Sequence, residues 1–140
     1  MIQRIALLIG LSLVLMAGIS VAHGSGNEKA AIASAEKWLA AVDEGKYAES
    51  WQEAAAYFRN AVTKEQFEQS MLAVRKPLGR LVSRKVRSAT YKTSLPGVPD
   101  GKYVIIKFET AFEHKASAIE TVTPMFDKDG KWRVSGYFIK

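Results

Sequence analysis

The sequence predicts an α+β domain in which three N-terminal helices pack on one face of a curved, four-stranded antiparallel meander. Up to Leu78, apolar residues recur at steps of three and four, as on the buried face of a helix. From Leu81 onward they recur at every second residue, with turn residues between the runs, as in half-buried strands. Because the helices come before the strands and do not alternate with them, an antiparallel sheet is expected.

The start of the chain has the features of a secretory signal peptide. Arg4 is the one charged residue before Glu28, the run Ile5–Ile19 is apolar, and small residues precede a cleavage point after Ala22. The expected division is a signal peptide, a flexible tail and one α+β domain: 1–22, 23–30 and 31–140. The protein is then periplasmic or secreted, with no stable membrane anchor after cleavage. The alternative is an uncleaved N-terminal membrane anchor.

Three helices are expected in the first half of the domain. The first covers Asn27–Glu44, where apolar residues are spaced for one buried face. The second carries an apolar stripe over residues 47–58. The third begins at a capping box formed by Thr63 and Gln66 and ends at Pro77, which cannot continue a helix.

Four strands are expected to follow, over Leu81–Thr93, Lys102–Glu113, Ala118–Phe126 and Lys131–Ile139. Residues 127–130 form a hairpin turn, and Trp132, Val134 and Phe138 are expected to share one face of the last strand. At about 3.3 Å per residue the second strand would span roughly 36 Å, which favours a twisted or curved sheet that wraps the helices. The open end of such a cone is a natural pocket for a small ligand.

Residue types exclude several chemistries. The chain has no cysteine, so it has no disulfide, no thiol nucleophile and no Cys-ligated metal site. It has no Gly-x-Ser-x-Gly or His-Glu-x-x-His motif and no phosphate-binding glycine loop. His23 and His114 are its two histidines, and neither is expected near the pocket. We therefore expect no metal and no cofactor, and a binding function is favoured over an enzymatic one.

Positive charge is concentrated in one segment. Residues Gln69–Lys92 include seven basic side chains and no acidic one. Such a patch attracts polyanions. Export argues against nucleic acid, which leaves anionic lipid head groups, lipopolysaccharide, acidic glycans or an acidic protein of the cell envelope as partners. The alternative is an ordinary solvated strand face.

The first strand also predicts a buried ion pair. Arg84 lies between Val82 and Val86 at alternate positions, so it faces the core if the two valines do. An inward guanidinium needs an anionic partner, and Glu120 on the third strand is the most plausible one, joined by Arg75 from the third helix. The pair either fixes the register of the sheet or belongs to a ligand site.

Aromatic residues complete the candidate ligand-binding set. Trp51, Tyr103 and Tyr137 have amphipathic rings that suit a cavity wall, and they join the three charged residues as candidates. The expected function is a non-enzymatic module that binds a small amphipathic or anionic ligand or an envelope partner. One alternative is a protein-protein interaction or homodimerisation domain. The other is an isomerase- or hydrolase-like enzyme with Glu120 as base and Arg84 as electrostatic stabiliser.

Six short blocks of sequence occur together between Ala31 and Ile139. They are Trp38-Leu39, Asp43-x-Gly45-x-Tyr47-x-x-Ser50-Trp51, Arg75-x-Pro77-Leu78-Gly79-x-x-x-Ser83-Arg84, Leu95-Pro96-Gly97-x-Pro99-Asp100-Gly101-x-Tyr103, Glu120-Thr121-Val122 and Trp132-x-Val134-x-Gly136-Tyr137. Taken together, the blocks resemble the exported bacterial family catalogued as domain of unknown function 4019.

The resemblance implies export and a single α+β domain. The family carries no established activity, so no catalytic residue is carried over from it. Its outline is similar to the nuclear-transport-factor-two-like and cystatin-like cone folds. Those folds host small-molecule binding as well as isomerase or dehydratase chemistry, so the likeness implies a fold and leaves the function open.

Overall fold

The computed structural model describes residues 26–140, in which four α-helices precede a four-stranded sheet. The helices are α1 Gly26–Asp43, α2 Tyr47–Glu53, α3 Ala56–Ala61 and α4 Lys64–Arg75, followed by a 3₁₀ turn at Lys76–Leu78. The strands are β1 Leu81–Lys92, β2 Tyr103–Phe112, β3 Lys115–Phe126 and β4 Trp132–Ile139. They form an open, curved antiparallel meander in the order β1-β2-β3-β4. The α+β prediction is confirmed.

Helix α1 provides most of the helical side of the core. Its five buried residues recur at steps of three and four, as predicted: Ala31, Ala35, Trp38, Leu39 and Val42. The helix contacts all four strands and packs against Val104, Ile106 and Phe108 of β2. Residues 26–30, expected in a flexible tail, form its first turns. The predicted signal peptide lies outside the described residues, and within 26–140 no helix has the length and apolarity to cross a membrane.

The second predicted helix is two helices, because the chain is extended at Ala54 and Ala55. Both alanines are fully buried, and the Ala55 amide donates to the Val134 carbonyl on β4 at 2.8 Å. The next amide, of Ala56, donates to Asp127 Oδ2 at 2.9 Å and so begins α3. These hydrogen bonds to the strand and its turn replace the helical ones, and they override the good helix propensity of alanine.

Strand β1 differs in detail from its predicted alternation. The register against β2 shifts between Leu81 and Ser83 and again between Val86 and Ser88. Each such bulge moves the following side chains to the other face. Val82, at the first bulge, is 68% exposed, and Val86, opposite Phe108 and before the second bulge, is 38% exposed. Neither valine is buried, so the premise that placed Arg84 inward was wrong. The Arg84 side chain is nevertheless only 11% exposed.

Strand β4 shows the same effect. The register against β3 shifts between Thr123 and Pro124, next to Ser135. As a result Val134 and Tyr137 contact the core, while Phe138 is 58% exposed. The expectation that Phe138 shares a face with Trp132 and Val134 was therefore wrong. One extra residue in a strand reverses the faces beyond it, and the alternation of apolar residues alone does not locate that residue.

Candidate functional site

Four charged side chains meet where α1, α4 and the sheet come together. Asp43 and Arg75 are the last residues of α1 and α4, Arg84 lies on β1 and Glu120 on β3. We call these four residues the charged cluster. Two of its side chains are basic and two acidic, so their formal charges balance.

Arg84 lies at the centre of the charged cluster. Its Nε donates to Glu120 Oε1 at 2.7 Å and its Nη2 to Oε2 at 3.2 Å. On its other side, Nη1 and Nη2 donate to the two carboxylate oxygens of Asp43 at 2.7 and 2.9 Å. The guanidinium thus makes a bidentate contact with each of two carboxylates, the geometry in which arginine binds them most strongly.

Glu120 has no solvent-exposed surface, and neutral donors complete its contacts. The Thr110 hydroxyl donates to Oε1 at 2.6 Å, and the Tyr137 phenol donates to Oε2. Burial, together with the neighbouring Glu120 charge and this hydrogen bond, raises the pKa of Tyr137 well above its usual value. Tyr137 therefore stays protonated at neutral pH and continues to donate this hydrogen bond.

Arg75 is 5% exposed, and its Nη2 donates to Asp43 Oδ1 at 2.8 Å. Its guanidinium carbon lies 4.8 Å from the centre of the Phe112 ring, a cation–π contact. Its Nε and Nη1 are buried and find no hydrogen-bond partner among the described residues. Arg75 is thus held by one carboxylate and one aromatic ring.

The geometry of the charged cluster supports the register-fixing interpretation of the predicted ion pair. Arg84 lies opposite Thr110 on β2, and Thr110 lies opposite Ala118, two residues before Glu120 on β3. A shift of either strand by one residue would turn one charge to the other face and leave its partner unpaired. As a catalytic base, Glu120 would have to reach a substrate, yet it is enclosed and both its oxygens are occupied by donors from the protein.

Asp43 makes the charged cluster sensitive to acid. Burial by itself would raise its pKa, but the hydrogen bonds and charges of Arg84 and Arg75 outweigh burial and hold the pKa below its usual value. A carboxyl group whose pKa is lower in the folded state stabilises the fold above its unfolded pKa of about 3.9, and this contribution is lost as the pH falls.

We therefore expect the free energy of unfolding to fall as the pH is lowered from about 5 to 3, and to fall less steeply in Asp43→Asn. Urea unfolding at several pH values measures both slopes. A variant as acid-sensitive as the wild type would show that Asp43 does not bind its proton more weakly in the folded state. Glu65→Gln, which removes an exposed carboxylate of α4, is the control.

Four of the six predicted ligand-binding residues come together at this site: Arg75, Arg84, Glu120 and Tyr137. Trp51 and Tyr103 lie apart from it. The Trp51 indole donates to the Val62 carbonyl at 2.7 Å, and the buried Tyr103 donates its hydroxyl to the Pro99 carbonyl at 2.6 Å. Both are used to hold loops against the core.

Sequence reasoning missed Asp43 and Thr110. Asp43 ends α1, and within residues 26–140 it is the one carboxylate that binds both arginines. Its position at the end of a buried helical stripe was the available signal. Thr110 continues the inward series of β2 in the place of an apolar residue, which is a recognisable sign of a buried polar contact.

Within residues 26–140, no cluster of histidine, aspartate and glutamate side chains could hold a metal ion. His114 is 63% exposed at the β2–β3 turn beside Glu113, and His23 lies outside the described residues. Residues 127–130 form a turn in which the Gly130 amide donates to the Asp127 carbonyl at 3.0 Å.

Comparison with known proteins agrees with the resemblance seen in the sequence. The sequence profile of a family described as "Protein of unknown function (DUF4019)" matches residues 34–137, which span α1 to β4. No curated protein matches the chain. The match covers most of the chain and includes all four members of the charged cluster. The chain therefore belongs to the DUF4019 family.

Proposed function

We propose that this protein is an exported binding module that docks an acidic, extended segment of a partner protein along β1. The observation that carries this proposal is a long, basic strand whose outer edge pairs with no strand of the part of the chain that the structure describes. Export rests on the signal-peptide features of residues 1–22. The charged cluster is its own closed set of ion pairs, so we place the binding surface outside it.

Strand β1 is a free edge of the sheet. It has 12 residues and, among the described strands, pairs only with β2. Most of its residues are exposed, including Val82 and Val86. The backbone N–H and C=O groups of such an edge are available to another strand, and peptide recognition often uses this by adding the ligand as a further strand.

The positive charge of β1 favours a bound strand that carries negative charge. Arg84 is neutralised inside the protein, whereas Lys85 and Arg87 are 76% and 58% exposed. The two share one carboxylate, that of Glu109 on β2, at 3.1 and 3.9 Å. Lys92 adds a further exposed cation, and β1 contains no acidic residue. Acidic side chains on a neighbouring strand would lie opposite these cations at a spacing that favours ion pairs.

A second copy of this strand fits the edge poorly, which argues against homodimerisation through β1. With four basic and no acidic residues, two β1 strands have no charged pair of opposite sign in any register, and some registers place cations face to face. Edge lysines and arginines are a common protection against such self-pairing. The same protection leaves an acidic strand as the favoured partner.

The two bulges of β1 limit the length of the segment that can bind. They interrupt the strand at Val82 and Arg87, so the regular stretches are Ser83–Val86 and Ser88–Lys92. A bulge twists an edge and interrupts the hydrogen-bond ladder. We therefore expect the partner segment to pair over about four or five residues and to depend on charge for much of its affinity.

The test uses a fluorescent ten-residue peptide in which glutamate alternates with valine or threonine, and measures its affinity by fluorescence anisotropy at low salt. We expect Lys85→Ser/Arg87→Ser to weaken binding by about tenfold, because two ion pairs are lost. Lys29→Ser/Lys128→Ser removes the same charge from exposed positions outside β1 and should change the affinity by less than about twofold.

Three further ligands separate strand addition from simple charge attraction. The same peptide with alternate backbone amides N-methylated keeps its charge but cannot complete a ladder, so it should bind much more weakly. Heparin and vesicles containing anionic lipid test the other polyanions. Equal binding of both peptides, or a preference for heparin or vesicles that is lost in Lys85→Ser/Arg87→Ser, would overturn the proposal. An acidic peptide that does not bind would overturn it too.

A further inference from the structure

A second concave surface lies at the other edge of the sheet from β1, between α1, α2 and β4. This groove has a volume of about 670 Å³. Its floor consists of Trp38, Trp132 and Val134, and small residues of α1, including Ala33 and Ala41, form one wall. The volume lies within the range of ligand sites for small molecules, and the apolar floor with a polar rim is typical of them. We call it the tryptophan groove.

The charged side chains on the rim of the tryptophan groove are not all in ion pairs. Among its charged residues, Arg133 is neutralised by Asp129 at 2.6 Å and Glu53 at 3.3 Å. Glu49 lies close enough to Lys46 to raise the pKa of that lysine, after the larger effect of Glu44. Lys37 and Lys131 are both exposed, and neither forms an ion pair with the described residues, although the Lys131 charge, after the larger effect of Arg133, helps to lower the pKa of Asp129.

We propose that the tryptophan groove binds a small amphipathic anion, an aliphatic carboxylate whose chain lies on the tryptophan floor and whose carboxylate contacts Lys37. The apolar floor favours a hydrocarbon body, and the unpaired lysines favour one negative charge at its end. Lys131 provides a second contact on the β4 side. This site is independent of β1 and of the proposed function.

The indole groups of the protein report on occupancy separately. Trp38 and Trp132 line the groove, whereas the Trp51 indole donates to the Val62 carbonyl and does not line it. In ¹H–¹⁵N spectra of the protein titrated with sodium decanoate, we expect the Trp132 and Trp38 indole signals to shift together and the Trp51 signal to stay in place.

Three variants and a neutral ligand sharpen the test. Lys37→Ala should weaken decanoate binding by about three- to fivefold and leave binding of decanol unchanged, since one exposed ion pair is lost. Lys29→Ala, two helical turns earlier on α1, is the control and should bind like the wild type. Ala33→Trp, at an exposed position of the wall, should fill the groove and abolish both.

Each outcome of the decanoate titrations supports or overturns the proposed site. Shifts at Trp38 and Trp132 that saturate, and that Ala33→Trp removes, support the site. The absence of shifts at millimolar decanoate overturns it, as does an equal response of Trp51. Equal affinity of Lys37→Ala and Lys29→Ala for decanoate would overturn the assignment of the carboxylate contact. The peptide-binding measurements on β1 are made without decanoate, so failure of one proposal leaves the other intact.

Discussion

Arg84→Met is expected to lower the free energy of unfolding by about 3–5 kcal/mol, because it removes one partner of a buried ion pair and leaves the other charge uncompensated. Glu120, with no exposed surface, would retain only the Thr110 and Tyr137 hydroxyl groups, and Asp43 would retain only Arg75. Urea denaturation of the purified variant at neutral pH measures the loss.

Two matched variants separate burial of charge from loss of charge. Arg87→Met, at a 58% exposed position of the same strand, should change stability by less than about 1 kcal/mol. Arg84→Met/Glu120→Gln should be more stable than Arg84→Met alone, because the amide oxygen still accepts a hydrogen bond and no buried charge is left without a partner. A loss in Arg84→Met as small as that in Arg87→Met would contradict a structural role for the charged cluster.

Arg84→Met also tests whether the acidic peptide binds at the charged cluster. Arg84 points into the protein and its donors are occupied by Asp43 and Glu120. At temperatures where Arg84→Met remains folded, its affinity for the acidic peptide should therefore stay within about twofold of the wild type. A large loss of affinity without a change in stability would instead support a ligand site at the charged cluster.

Gly79→Ala is expected to destabilise the protein by about 2–5 kcal/mol, from backbone strain and steric overlap together. Gly79 joins the 3₁₀ turn to β1 at φ 73° and ψ −157°, a conformation that is essentially restricted to glycine. A Cβ atom there would lie 2.9 Å from Glu113 Cβ and 2.9 Å from His114 Cδ2. The turn cannot easily move away, because the His114 amide donates to the Leu78 carbonyl at 2.9 Å.

Gly97→Ala is the control for Gly79→Ala. Gly97 has a similar φ of +78°, but no heavy atom lies within 4 Å of the position that its Cβ would occupy. Its substitution should cost about 1 kcal/mol, the strain of a left-handed residue without the steric overlap. Thermal unfolding of the two variants compares them directly. Equal losses would show that the contact with the β2–β3 turn is relieved by a small movement.

The charged cluster and the β1 edge have complementary roles in the proposed function. An edge strand has a neighbour on one side only, so contacts with the rest of the fold add to its stability. In β1 those contacts include Arg84, which bonds to α1 through Asp43 and to β3 through Glu120. The inner side of the strand is thus held in place while its outer edge remains free for a partner.

Much of the fold was predictable because local patterns agree with it. The five apolar residues of α1 are buried as their spacing indicates, and the capping box at Thr63 and Gln66 is formed by both of its hydrogen bonds. The inward face of β2, with Val104, Ile106 and Phe108, follows strict alternation. Family membership and the α+β class could be predicted from the sequence for the same reason.

The ion pair between Arg84 and Glu120 was predicted correctly from a premise that was wrong. Val82 and Val86, assumed to point into the core, are exposed, and yet the side chain of the arginine between them is only 11% exposed. The requirement that led to Glu120 was that an inward guanidinium needs a carboxylate partner. That electrostatic requirement holds however the neighbouring valines are arranged.

Local sequence patterns were sufficient to predict which segments are helices and which are strands, the order of the strands, and the sign of the charge on β1. These features depend on residues close together in the chain. Tertiary contacts alone decided the bulges, the break at Ala54 and Ala55, and the entry of Asp43 into the charged cluster. Each of these depends on a partner far away in the sequence: Val134 accepts from Ala55, and Asp43 accepts from Arg75 and Arg84. Burial makes such hydrogen bonds and ion pairs obligatory, and only the packed chain determines which groups are close enough to form them.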